Sequence, residues 1–98
     1  MIDSNKLFWV LHIAKKRNGC YVMIRDVCHV FKFPMGDHQD PEENEKAVAI
    51  LWKMEALGYV KEGWMGEEKA PVWILTRKGV HFYQEMYKKI FKKEVVPL

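Results

Sequence analysis

Cys20, Cys28, His29 and His38, near one another in the sequence, offer four potential zinc ligands. Strong sequence signals for a zinc site pair the donors as CxxC or HxxxH. These four are not paired that way. Cys28 also shares a helical stripe with Ile24, Val27 and Phe31, where a free cysteine acts as a small hydrophobe. The expectation is no metal site and no cofactor. The chain has no phosphate-cradling glycine loop, no nucleophile elbow and no HExxH, so no catalytic residue is expected. His12 and His81 lie among apolar and aromatic residues and read as core-edge or interface positions.

What remains is charge and aromatic surface. The chain has 98 residues, room for one small core. It is 49% apolar and 30% charged, too apolar for a disordered chain. A formal net charge of +3 permits a nucleic-acid partner without demanding one. With aromatics at 13%, including four tryptophans, some apolar surface is expected to be left over for a partner. The start of the chain is amphipathic, broken by His12 and Lys15, and does not read as a signal peptide. No apolar run reaches membrane-spanning length. The two cysteines read as free thiols of a cytoplasmic protein.

Periodicity supplies the elements that hold these groups. A first helix is expected over about 3–17, with Leu7, Val10, Leu11 and Ala14 as its stripe and Asp3 or Ser4 as its cap. Asn18-Gly19 should stop it. A short strand follows at 20–23 and a second helix at 24–31. Residues 32–41 read as a loop. Asp40, Pro41 and Glu43 then carry a helix-start pattern for a third helix over 41–57, which ends at Gly58. Its buried stripe is Ala47, Ile50, Leu51, Met54 and Leu57. Glu45, Ala49, Trp52 and Ala56 fall opposite, with Lys46 and Lys53 on one flank. Two strands within 58–76 and a last helix over 77–93, capped by Thr76, complete the chain.

The order is α-β-α-α-β-β-α in one α+β domain. It resembles a winged helix-turn-helix domain, and in particular small transcriptional regulators of the MarR and PadR type. The residues that carry the resemblance are Met54, Glu55, Gly58, Tyr59 and Val60, then Leu75, Thr76 and Gly79. The resemblance implies duplex DNA binding, with the third helix in the major groove and the wing on phosphates. The implied groove-facing residues are Asn44, Glu45, Lys46, Ala49, Trp52 and Lys53. Asn44 would pair with adenine and Lys46 with guanine. Phosphate contacts would come from Arg25, Lys61 and Lys69. It also implies a homodimer through Trp9, His12 and Ile13 of the first helix and Phe82 and Met86 of the last.

Two features depart from this pattern. Asp37, Asp40, Glu42, Glu43 and Glu45 precede or begin the third helix, and Glu67 and Glu68 sit at the wing tip, where they would repel phosphates. Trp52 stands near the middle of the exposed face, and a large apolar residue there marks a protein contact. The alternative expectation is therefore a winged-helix module that docks a protein through Trp52, with little or no DNA affinity.

Overall fold

The computed structural model describes residues 3–17, 20–34, 40–67 and 70–91. These form α1 (Ser4–Lys15), β1 (Tyr21–Val22), α2 (Ile24–Phe31), α3 (Glu45–Ala56), β2 (Val60–Met65), β3 (Ala70–Leu75) and α4 (Arg77–Ile90). A 3₁₀ turn, Glu42–Asn44, leads into α3. The result is mainly helical with a small antiparallel sheet of order β1-β3-β2, the α+β class the sequence implies.

α1 runs through the middle of the core. Its stripe of Leu7, Val10, Leu11 and Ala14 is buried as expected, and Phe8 is fully buried beside it. The Phe8 ring lies flat against Tyr83 of α4, centroids 5.1 Å apart. Burying a side chain of that size contributes about 1.5–3 kcal/mol. Against this helix pack Val22 of β1, Ile24 and Val27 of α2, Leu51 and Met54 of α3, and Val60 of β2. The side chain of Asp3 caps α1 by accepting the Asn5 N–H at 2.8 Å. The helix ends at Lys15, where Lys16 and Arg17 bond back to Ile13 and Ala14. The Asn18-Gly19 stop expected from the sequence lies outside the described residues.

α3 starts later than the sequence suggests. The Asp40 carboxylate accepts the Glu42 N–H at 2.9 Å just ahead of the 3₁₀ turn, whose N-cap is Pro41, and does not cap the α-helix. The helix closes with paired bonds from Gly58 N–H to Glu55 O and from Tyr59 N–H to Met54 O. This closure needs a left-handed residue after the last turn, and Gly58 supplies it at φ 84°. Leu57, the residue before it, keeps helical backbone angles and falls beside Lys46 and Lys53 on the helix surface. Leu57 is 44% exposed, a correction to its expected place in the buried stripe.

The Leu-Thr-x-x-Gly stretch has a concrete structural meaning. The Thr76 hydroxyl accepts the Gly79 N–H at 3.0 Å and donates to the Gly58 carbonyl. The Thr76 N–H donates to Tyr59 O at 3.0 Å. A Cβ at Gly79 would stand 2.1 Å from Tyr59 O, so only glycine lets α4 come this close. Together these contacts weld α4 to the end of α3. A second weld joins α1 to α2: the Arg17 guanidinium forks onto the buried Asp26 carboxylate. That carboxylate also accepts the Met23 N–H at 2.7 Å, and Arg17 donates to Tyr21 O at 3.2 Å.

Candidate functional site

α3 owes its orientation to α2, against which it packs, and to Leu51 and Met54, which are fully buried. Its outer face carries Glu45, Lys46, Ala49, Trp52, Lys53, Glu55 and Ala56, all exposed. Trp52 is 61% exposed, so the described parts of the wing and of the preceding loop leave it uncovered.

Asn44 is corrected. It is only 3% exposed, not groove-facing. Its side-chain amide donates to Asp40 O at 2.9 Å, and its oxygen accepts from the Cys28 thiol at 3.7 Å. Lying three, four and seven residues before the buried Ala47, Val48 and Leu51, Asn44 falls on the buried side of the helix and faces α2, where it pins the entry to α3. Burial also pushes the Cys28 thiol pKa up, which suits an inert core cysteine.

The exposed face is divided by charge. Glu55, Trp52 and Glu45 fall within an arc of about 80° of the helix circumference. Ala56 and Ala49 come next, and Lys53 and Lys46 lie roughly a quarter-turn beyond Glu45. The surroundings of each arc differ. Lys53 borders a groove of ≈570 Å³ with Ser4 and Leu7 of α1, Tyr59 and Phe82. Trp52 is the wall between two concavities on the other side. One, ≈410 Å³, is lined by Pro41, Glu42, Glu45 and Val48; the other, ≈440 Å³, by Glu55, Ala56 and Glu62.

The wing continues this asymmetry. Register pairs Val60 with Leu75, Glu62 with Trp73 and Trp64 with Pro71, so these residues share the sheet face that meets α3. Trp73 is buried there, while Trp64, further out, is 66% exposed. Lys61 points to the opposite sheet face, across from Ile74. Arg25 is exposed at the start of α2. Lys69 lies outside the described residues, as do Asp37, His38 and Glu68. The expected phosphate-contacting groups are thus spread over α2 and the far side of the wing, and the sequence reading missed the carboxylate of Glu62 on the near side. Strand alternation from buried Val60 is the signal that could have found it.

The residues expected at a dimer interface already make contacts within the chain. His12 Nδ1 lies 2.7 Å from the Tyr83 hydroxyl. Burial first, then the nearby charge of Lys16, holds the His12 imidazole pKa below its ordinary value. Phe82 stacks on Tyr59 at 4.5 Å, and Met86 is half-buried against the core. Trp9 meets Phe8 edge-on at 5.0 Å yet stays 41% exposed, bordering a shallow groove with Lys6, Ile13, His29 and Val30. Trp9 and Ile13 therefore form the outward part of this set.

Among the described residues, no three His, Cys, Asp or Glu side chains gather as a metal site, and no helix is long and apolar enough to cross a membrane. Compared with protein families, curated proteins and solved structures, the chain matches none.

Proposed function

We propose that the chain is a winged helix-turn-helix protein that binds duplex DNA as a small, non-catalytic transcriptional regulator. α3 enters the major groove in this reading. The element order and the β1-β3-β2 sheet support it. The observation that carries it is the lysine flank of α3: Lys46 and Lys53 are exposed two turns apart, beside the small Ala49 that lets a groove wall approach the helix. Arg25 and Lys61 are exposed at positions suited to phosphates. A homodimer through Trp9 and Ile13 would set two such helices on a palindrome. Charge reversal at Lys46 and Lys53 tests the reading: it should abolish salt-sensitive binding to a mixed-sequence duplex.

One observation favours a second reading, in which α3 docks a protein. Trp52 is 61% exposed and lies on the carboxylate side of the helix, away from the lysines. Under that reading Trp52→Ala removes partner binding, and charge reversal at the lysines matters little.

A further inference from the structure

We infer that Trp52 and the carboxylates around it form a docking site for a lysine- or arginine-bearing extended segment of a protein partner. This deepens the second reading and rests on it. Trp52 offers an indole face open on two sides. Glu42 and Glu45 rim one concavity, and Glu55 and Glu62 rim the other. None of these four carboxylates forms a salt bridge with a described cation; Arg17 and Lys88 are spent on Asp26 and Glu85. Lys53 lies round the helix and Lys61 is on the other face of the sheet, while Lys46 lines a separate concavity with Glu42, Glu43 and Glu45.

An aromatic face flanked by carboxylates that form no salt bridge with a described cation selects a cation, most of all on the Glu55 and Glu62 side, where no described lysine or arginine lines the concavity. The ring quadrupole attracts the charge, and the carboxylates accept its N–H groups. The same arrangement repels phosphate, so this half of α3 does not suit a nucleic-acid backbone. The two concavities, one on each side of the indole, fit successive cationic side chains of an extended chain. Trp64, exposed on the wing face that continues from Glu62, extends the apolar floor.

The test titrates the full chain with a fluorescein-labelled peptide of alternating arginine and glycine, beside the same peptide with citrulline for arginine. Indole N–H signals, assigned from Trp→Phe variants, are followed by NMR. The arginine peptide should bind saturably and move the Trp52 signal most. Trp52→Ala, or Trp52→Leu as a second variant, should weaken binding about tenfold or more, as for a central hot-spot aromatic. Glu55→Gln with Glu62→Gln should weaken it several-fold, whereas Lys46→Gln with Lys53→Gln should not weaken it. Binding that survives loss of Trp52 would overturn the site, as general attraction does not use the indole. Equal binding of the citrulline peptide, lost in Trp52→Ala, would uphold docking at Trp52 but overturn its selectivity for cations. Failure of both peptides would overturn the inference, and self-association abolished by Trp52→Ala would replace the partner with a second copy. Duplex DNA titrated with the same variants keeps the DNA reading separate: it stands or falls on the lysines alone.

Discussion

Gly79→Ala should destabilise the protein out of proportion to one methyl group. The added Cβ would lie 2.1 Å from Tyr59 O and 2.9 Å from Tyr59 C, both backbone atoms that cannot swing aside. Ordinary contact, at 3.4–4 Å, needs about 1.5 Å more. Moving α4 outward by that distance breaks the Thr76 N–H bond to Tyr59 O and the Thr76 hydroxyl bond to Gly58 O. Each is worth about 1 kcal/mol. The Tyr59–Phe82 stack also opens, at about 0.5–1.5 kcal/mol. Alanine's better helix propensity returns at most about 1 kcal/mol. The net loss is about 2 kcal/mol, which for a domain of this size lowers Tm by roughly 8–16 °C. Thermal unfolding followed by far-ultraviolet circular dichroism reads it. Gly63→Ala is the control, because its closest contact would be the end of the Ile74 side chain, Cδ1 at 2.8 Å, with Ile74 Cγ1 and Val72 Cγ2 at 3.4 and 3.7 Å and no backbone atom in the way, so its loss should be the smaller of the two. A Gly79→Ala protein that melts with the wild type would refute the reasoning.

Three other outcomes follow from the packing. Asp26→Asn leaves Arg17 facing an uncharged amide at a buried site and should cost about 3 kcal/mol in urea unfolding. Asn44→Ala should cost about 1–3 kcal/mol through the bonds to Asp40 O and Cys28, and leave the base preference of any bound duplex unchanged. His12 binds its proton less readily folded than unfolded. The unfolded chain therefore takes up more protons just below the ordinary value of 6.5, and stability falls as pH falls through that window. The urea midpoint should drop between pH 7.5 and 5.5, and His12→Gln should flatten the drop.

Helix azimuth was legible in the sequence because burial repeats with the helical period. The spacing of Ile24, Val27, Cys28 and Phe31 gives α2 its observed limits, and the exposure of Trp52 follows from the Leu51 and Met54 stripe. Thr76 was legible as a cap because its hydroxyl has a local partner, Gly79 N–H. Errors arose where family resemblance or hydrophobicity outweighed the wheel. Asn44 lies three, four and seven residues before the buried Ala47, Val48 and Leu51, so helical spacing already turns it inward, and Leu57, still in helical backbone geometry, falls on the lysine flank. Long-range contacts left no periodic trace: Gly79 against Tyr59 O, Arg17 on Asp26 and Phe8 on Tyr83 join residues whose spacing along the chain carries no signal. The charge division of α3 needed the wing's position, since Glu62 reaches Trp52 only through the β2–β3 register and the packing of the sheet on α3.

The DNA reading is tested most directly by fluorescence anisotropy of a labelled mixed-sequence duplex, titrated at low and near-physiological salt with wild type and with Lys46→Glu/Lys53→Glu. The account predicts dissociation constants of about 10⁻⁴ to 10⁻⁶ M or tighter for the wild type, weakening steeply with salt, and no binding by the double variant. Absence of binding at low salt, or binding that survives the charge reversal, would contradict it.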